Sequence, residues 1–279
     1  MVGHLLLSGT LSTLGIAAVV GLMFFIGTRF RGLNNIVHEC SHFTFAADRK
    51  ANGFFGKLAC ALILKSFAAY RKEHMSHHAH LGDYELDEDF RIIQRFRLED
   101  PLTPRTILRH LVTPLTGVHV PYYCAPNLSG EDGRGWLALK LGLIGATVAL
   151  AFWAPLTALV MVVAPFVVVY SAINYWTDCI DHGGLFGHED ELWASRNVIV
   201  PRWLRFLLFP RNDCYHLIHH LFPTLPSGYL DFAHERLMDH PAYRKRSTGD
   251  GALGGFGMAG ERAGEAGLAD AMPPIPARS

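Results

Sequence analysis

Eight histidines fall in three clusters whose spacing suits metal binding. The clusters read HECSH from His38 to His42, HMSHH from His74 to His78 with His77 inside, and HLIHH from His216 to His220 with His219 inside. Residues three or four positions apart share one face of an α-helix, so each cluster would present its imidazoles together. A single pair of this kind is typical of surface or hydrogen-bonded histidines. Three clusters together favour a metal site, because neutral imidazole is a common metal ligand.

Two further residues are candidates for the same site. Asn212 precedes His216 and His220 at helical spacing, so one helix through this stretch would place all three side chains on one face with His219 one turn away. Asn212 also fits an N-cap, whose side chain accepts a hydrogen bond from an amide two or three residues later. His182 follows the last apolar stretch, and its alternative interpretation is a lone loop histidine.

The number of imidazoles predicts two metal ions. Eight or nine neutral histidines exceed the four ligands that one zinc ion usually takes. Imidazole suits Zn, Cu, Fe and Ni, so the residue types leave the metal open. The cysteines are odd in number and include no CxxC pair, so we expect reduced thiols rather than a disulfide framework or a zinc ribbon; they are Cys40, Cys60, Cys124, Cys179 and Cys214.

Composition indicates a membrane protein. Of the 279 residues, 50% are hydrophobic and 18% are charged, whereas a typical soluble domain has about 25% charged residues. The formal net charge is zero, so the chain has no overall basic character that would indicate a nucleic-acid partner.

Three apolar stretches are predicted to cross the membrane as helices. They are Leu5–Ile26, Trp136–Ala154 and Leu156–Tyr175, the last two joined as a hairpin at Pro155. The stretch Phe54–Ala69 is too short to cross and return, so we expect an interfacial or re-entrant helix there. Pro201–Pro210 combines aromatic and basic residues as interfacial helices do.

Basic residues set the expected orientation and domain limits. Arg29, Arg31, Arg49 and Lys50 follow the first stretch, so the positive-inside rule predicts a cytoplasmic position for its end. Three crossings then place every histidine cluster on the cytoplasmic side. The acidic run from Asp83 to Asp89 is typical of solvated surface, and the alternative is that one of its carboxylates supports the histidines. We expect one membrane-embedded domain over 1–243 and a disordered tail, rich in Gly, Ala and Pro, over 244–279.

With these motifs the chain resembles the membrane fatty acid desaturase and hydroxylase superfamily. The resemblance covers roughly residues 5 to 240 and rests on LNNIVHECSHFTF, YRKEHMSHHAHLGD and HLIHHLFPTLP. It implies an all-α integral membrane fold with about three transmembrane helices, interfacial helices and a cytoplasmic histidine-rich di-iron cap. It also implies two Fe ions, one of which Asn212 contacts through a water. The implied ligands of the ions are His38, His42, His74, His77, His78, His182, His216, His219 and His220.

The resemblance further implies O2-dependent oxidation of a fatty acyl chain at an unactivated methylene. A second hydrogen loss gives a cis double bond and return of hydroxyl gives an alcohol, and the sequence leaves desaturation and hydroxylation both open. No flavin fingerprint, cluster-binding CxxC or haem motif occurs, so we expect an external electron donor such as a ferredoxin-like protein. The expected partners are a lipid or acyl-chain substrate, O2 and a membrane, of the bacterial inner or plasma type.

Two other classes of protein fit part of the sequence. HECSH matches HExxH, in which two histidines bind zinc and a glutamate, here Glu39, is the general base of a metalloprotease. An intramembrane protease of this kind would leave the other two clusters without a role. A metal transporter would place its histidines along a path near the membrane midplane, whereas these lie outside the predicted spans.

Overall fold

The fold is built from helices that converge on the histidine clusters. The computed structural model describes residues 13–185 and 194–248. Within these ranges every regular element is helical, which confirms the all-α prediction. In chain order the helices are α1 Thr13–Ser41, α2 Arg49–Leu62, α3 Phe67–His80, α4 Glu88–Arg91, α5 Pro104–Val112, α6 Val120–Cys124, α7 Arg134–Trp153, α8 Pro155–His182, α9 Arg202–Leu208, α10 His216–Leu221, α11 Leu230–Leu237 and α12 Pro241–Thr248.

Three of these helices are long and apolar enough to cross a membrane, as predicted. They are α1, α7 and α8. The side chains of Phe152 and Trp153 near the end of α7 are 87% and 76% exposed, as expected of apolar groups that face lipid. The chain leaves helical geometry at Ala154, so the predicted join at Pro155 is confirmed. Lys140 of α7 is buried and donates to the Asn127 carbonyl at 2.7 Å.

The first span differs from its predicted limits. The sequence suggested an end at Ile26, with the first histidine cluster beyond it, but α1 continues without a break to Ser41. Its 29 residues extend about 44 Å, which exceeds a hydrocarbon core of about 30 Å. One continuous helix therefore carries both the apolar stretch and His38. Residues 5–12 lie outside the described residues.

The apolar stretch 54–69 is divided between two helices rather than forming one. α2 and α3 meet at an angle of 104°, and Leu64 adopts a left-handed conformation between them, with φ of 58°. The carboxylate of Asp132 accepts hydrogen bonds from the amides of Phe67 and Ala68 at 2.8 and 3.1 Å, which satisfies free N–H groups in the first turn of α3. This bend turns the second histidine cluster towards α1.

The remaining helices agree with the predicted interfacial and cap regions. α9 lies within the stretch predicted as interfacial, and its Trp203 and Phe206 are 66% and 57% exposed. α12 continues past the predicted domain limit at residue 243, and the buried guanidinium of Arg246 donates to the Ser195 carbonyl at 2.7 Å. The rest of the predicted tail, 249–279, lies outside the described residues.

A close helix contact holds α1 against α8. Pro165 lacks a backbone donor, and α8 contains the π-helical segments Leu159–Val163 and Pro165–Tyr170 around it. A Cβ added to Gly27 of α1 would lie 2.4 Å from Val169 and 2.9 Å from the Pro165 carbonyl oxygen. Glycine at this position therefore lets the two backbones approach, as small residues do between membrane helices.

We predict that Gly27→Ala destabilises the fold by about 1–3 kcal/mol, because the new methyl group overpacks this contact. The matched control is Gly21→Ala in the same helix, where an added Cβ has nothing within 4 Å. That control should be neutral or stabilising by up to about 1 kcal/mol, because alanine favours helix. Thermal unfolding of both variants in one detergent measures the difference, and equal midpoints would contradict the contact.

Candidate metal centre

Four elements bring the nine predicted histidines into two adjacent groups. The five-histidine group consists of His38, His42, His74, His78 and His219, and the four-histidine group consists of His77, His182, His216 and His220. Within each group the ring nitrogens nearest the centre all lie within 4.8 Å of one another. His80, two residues after His78, is exposed and belongs to neither group.

Helical spacing explains how each HxxHH cluster serves both groups. On α3, His74 and His78 are four residues apart and enter the five-histidine group, whereas His77 enters the other. On α10 the arrangement is reversed, because His216 and His220 enter the four-histidine group and His219 crosses to the five-histidine group. Each of these two helices thus contributes histidines to both groups.

The Nε2 atoms in the five-histidine group are close to one another. The separations are 2.8 Å between His38 and His219, 2.8 Å between His42 and His74, 3.2 Å between His74 and His78, and 3.0 Å between His78 and His219. In the four-histidine group, His216 Nε2 is 2.8 Å from His182 Nε2 and 3.0 Å from His220 Nε2.

Hydrogen bonds among the rings cannot account for these contacts. Each Nε2 of a neutral imidazole carries either one hydrogen or one lone pair. The five Nε2 atoms form a chain of four contacts, so no more than two of the four can be hydrogen bonds at once. The other contacts would bring lone pairs or hydrogens against each other, which a shared cation resolves.

The spacing also fits adjacent ligands on one ion. Two nitrogens that each lie about 2.1 Å from a common ion, at about 90° to each other, are about 3 Å apart. The observed separations of 2.8–3.2 Å are of this size. The donor set in each group is therefore suited to one first-row transition-metal ion.

Burial favours the neutral form of the imidazoles, which metal ligands require. It lowers the pKa of His216, His219 and His220 well below the ordinary value, and neighbouring histidines lower it further. Burial and the nearby Arg71 guanidinium lower the pKa of His42 to about 4. These rings present lone pairs rather than positive charge at neutral pH.

Three rings of the four-histidine group have a partner at Nδ1. Asp87 Oδ2 lies 2.8 Å from His77 Nδ1, and the Ala194 carbonyl oxygen lies 3.1 Å from His182 Nδ1. Asp181 Oδ2 lies 3.5 Å from His216 Nδ1. A proton on Nδ1 leaves the Nε2 lone pair free for an ion. The acidic run had suggested that one of its carboxylates would take this role, and Asp87 does; nothing in local spacing indicated Asp181.

The position of Asn212 differs from its prediction. Arg211 and Asn212 have φ of 64° and 60°, and α10 begins only at His216, so Asn212 does not share a helical face with the third cluster. Asn212 is not the N-cap either, because that residue is Tyr215, which makes no side-chain cap. Instead, Asn212 Nδ2 donates to the Ser227 carbonyl at 3.0 Å. Its contact to an iron through water stays a prediction.

A small cavity keeps that prediction about Asn212 open. The cavity has a volume of about 30 Å³ and is lined by Asn212 together with His38, His42, His216 and His219. Such a volume is about the share of one water molecule in the liquid.

Ion pairs connect α1 to the residues just before the third cluster. The guanidinium of Arg211 pairs with the Glu39 carboxylate, which also accepts from the Ser227 hydroxyl at 2.9 Å. Arg31, one of the basic residues expected to mark the cytoplasmic side, is buried and pairs with Asp213. These pairs link residues far apart in sequence, which local patterns do not reveal.

A larger cavity of about 680 Å³ opens beside both groups. Five of the nine histidines form part of its wall: His38 and His74 from the five-histidine group, and His77, His182 and His216 from the other. The cavity is large enough for a molecule of drug size. A molecule bound there would contact both groups.

Comparison with known proteins gives the family. The fatty acid desaturase family model matches residues 14–249. The chain is 25% identical over 255 residues to dihydrorhizobitoxine desaturase of Bradyrhizobium elkanii, with 82% of this chain and 70% of that protein covered.

Plant relatives are similarly distant. The chain is 26% identical over 234 residues to a chloroplastic omega-3 fatty acid desaturase of Glycine max, with 73% of this chain and 51% of that protein covered. It is 26% identical over 233 residues to the chloroplastic sn-2 acyl-lipid omega-3 desaturase (ferredoxin) of Arabidopsis thaliana, with the same coverage. The chain thus spans about half the length of these plant relatives. Because the family model matches most of the sequence and the three histidine clusters meet in one centre, the chain belongs to the fatty acid desaturase family.

Proposed function

We propose that the chain is an O2-dependent di-iron oxidoreductase that introduces a double bond into a fatty acyl or related lipid-like chain. The observation that carries this proposal is the pair of histidine groups beside the cavity of about 680 Å³. Two ions would be held at the wall of a space large enough for a substrate. The names of the relatives, all desaturases, support a double bond as the product.

Each ion would be held by the ring nitrogens of one group. Bound iron would supply activation of O2 and an oxidant able to remove hydrogen from an unactivated methylene. Asp87 and the Ala194 carbonyl hold His77 and His182 in the tautomer whose Nε2 carries the lone pair. The buried pair of Arg31 and Asp213 holds α1 against the turn before α10. The protein thus keeps both groups in place before the substrate enters.

We propose a small iron–sulfur protein of the ferredoxin type as electron donor. The Arabidopsis relative names ferredoxin, and the sequence has no flavin or haem motif of its own. We also keep the proposal that the centre faces the cytoplasm of a bacterial-type inner or plasma membrane. This orientation is supported by the basic residues that follow the first apolar stretch. Arg31 pairs with Asp213, so the residues that still count towards the orientation are Arg29, Arg49 and Lys50.

The site argues against a zinc protease. The HExxH interpretation needs Glu39 as a free general base, but its carboxylate is held by Arg211 and Ser227. In that interpretation His38 and His42 are the histidine ligands of a zinc ion. In the structure three further histidines belong to the same group. Hydroxylation on the same scaffold stays the alternative outcome, because the histidine groups would serve both reactions.

We expect a host that expresses the chain together with a ferredoxin and its reductase to accumulate a chain lighter by two hydrogens. Mass spectrometry of total extracts measures this product, and cells carrying His78→Ala provide the background. A product heavier by one oxygen would establish the hydroxylase instead. Extracts indistinguishable from the background, from cells that contain metal-loaded protein, would refute oxidation of host lipids.

The iron content of a histidine variant should depend on whether the replaced histidine belongs to one of the two groups. We predict about two iron ions per chain in the purified protein, with a marked loss in His78→Ala because Nε2 of this ring contacts two other rings of its group. His80→Ala is the matched control, since His80 is two residues away, exposed and outside both groups. Plasma emission spectrometry counts the ions. One zinc ion and no iron in the unaltered protein would support the protease instead.

The Asp87 carboxylate should matter through the tautomer of His77. Its Oδ1 accepts from the amides of Asp89 and Phe90, while Oδ2 faces His77 Nδ1. In Asp87→Asn the side-chain oxygen can keep the two hydrogen bonds from the backbone amides only if the side-chain NH2 group faces His77. That places a donor at Nδ1 and moves the imidazole proton to Nε2, so we predict an affinity for the ion about 10–100-fold weaker.

The control for Asp87→Asn is Asp83→Asn. Asp83 is exposed and its Oδ1 accepts from the amides of Glu85 and Leu86, but it contacts no histidine of the centre. Competition with a metal chelator measures the affinity of each variant. If Asp87→Asn and Asp83→Asn release metal equally, the carboxylate does not orient His77.

A further inference from the structure

Segment 194–198 connects the two elements that carry most of the four-histidine group. At its start the Ala194 carbonyl oxygen faces Nδ1 of His182, the last residue of α8. At its end the Val198 amide donates a hydrogen bond of 2.7 Å to the carbonyl of Cys214, two residues before α10. The position of this segment therefore affects both a ring on α8 and the helix of the third cluster.

Asn197 supplies the cap that α10 lacks. Tyr215 at the N-cap makes no side-chain cap, and the first N–H groups of a helix have no acceptor within it. Asn197 Oδ1 accepts a hydrogen bond of 3.3 Å from the Ile218 amide in the first turn of α10. This helix has only six residues and contains all three histidines of the third cluster. Asn197 thus stabilises the short helix from which those rings project.

Tyr243 of α12 sets the orientation of the Asn197 amide. Tyr243 is buried, and its hydroxyl accepts a hydrogen bond of 2.8 Å from Asn197 Nδ2. The same hydroxyl lies 2.8 Å from His234 Nδ1, to which it can donate. A side-chain amide has one oxygen acceptor and one NH2 donor. With the NH2 group directed at Tyr243, the oxygen is directed at the Ile218 amide.

Arg246, three residues further along α12, acts at the other end of segment 194–198. Its side chain is buried, and Nη2 donates to the Ser195 carbonyl oxygen at 2.7 Å. Ser195 adjoins Ala194, so this hydrogen bond holds the backbone next to the carbonyl that faces His182. The helix α12 therefore contacts the segment at both of the places where it supports the four-histidine group.

We propose that Tyr243 and Arg246 are positioning residues for the ion of the four-histidine group. Through segment 194–198 they support three of that group's four rings, whereas the five-histidine group has one ring on α10. Loss of this support should therefore weaken the ion of the four-histidine group more than the other ion. This inference rests on the two-ion centre of the proposed function, but not on the reaction.

Iron affinity, measured against a competing chelator, tests this role. Tyr243→Phe keeps the ring in the core and removes only the hydroxyl. In the full chain loaded with Fe(II), this variant should bind one ion about tenfold more weakly and the other about threefold more weakly or less, because groups that orient metal ligands contribute about 10–100-fold to affinity. Arg246→Met should weaken the same ion, and Arg246→Lys, which retains a donor for the Ser195 carbonyl, should restore most of its affinity.

Ligand variants identify which ion responds. His182→Ala removes a ring of the four-histidine group, so Tyr243→Phe should have little further effect on the ion that remains. In His78→Ala, which weakens the five-histidine group, the remaining ion should show the full effect of Tyr243→Phe. Tyr229→Phe and Arg244→Met are the controls, because Tyr229 packs against the same core and Arg244 is exposed on α12.

Equal weakening of both ions in Tyr243→Phe would give α12 a purely structural role and overturn the proposal. Unchanged affinities in Tyr243→Phe and Arg246→Met would also overturn it, and Tyr243→Phe alone decides if Arg246→Met does not fold. The readout is affinity rather than turnover, so a protein that shows the expected pattern yet oxidises no lipid would keep this inference and lose the proposed reaction. A four-histidine group that binds no ion in the unaltered chain would overturn both the two-ion centre and this inference.

Discussion

The rest of the structure depends on the mutual repulsion of imidazole lone pairs. Nine buried or partly buried rings point nitrogens at one another from separate elements, and without a cation few of those contacts can be favourable. Burying unpaired polar groups is costly. Bound metal ions would offset this cost, because they accept the lone pairs of the facing nitrogens. The helices α1, α3, α8 and α10 must then meet at one place, and the bends and ion pairs of the fold bring them there.

The same constraint explains why the charged contacts lie where they do. The 104° bend between α2 and α3 directs the second cluster towards α1, and Asp132 stabilises the start of α3 at that bend. Arg31 and Glu39 on α1 pair with Asp213 and Arg211, which adjoin the third cluster. Removal of Arg31 or Asp213 from their buried pair would leave an uncompensated charge close to the centre.

Much of this could be predicted from the sequence, and the failures have a common cause. Apolar length and helical spacing predicted the spans and the eight clustered histidines, because these depend on neighbours in the chain, whereas His182 and the all-α class rested on the family resemblance. Local spacing put Asn212 on the helix of the third cluster, but Arg211 and Asn212 adopt positive φ and end that pattern. The roles of Asp181 and Arg31 depend on contacts between distant segments. The first helix was predicted too short because Arg29 and Arg31 were placed after its end, whereas both lie within α1.

The most direct test of a di-iron centre is anomalous X-ray scattering from crystals of the iron-loaded protein at the iron absorption edge. Two anomalous peaks are expected, one within the five-histidine group and one within the four-histidine group. A single peak, or peaks that appear only at the zinc edge, would contradict a di-iron centre shared between the two groups.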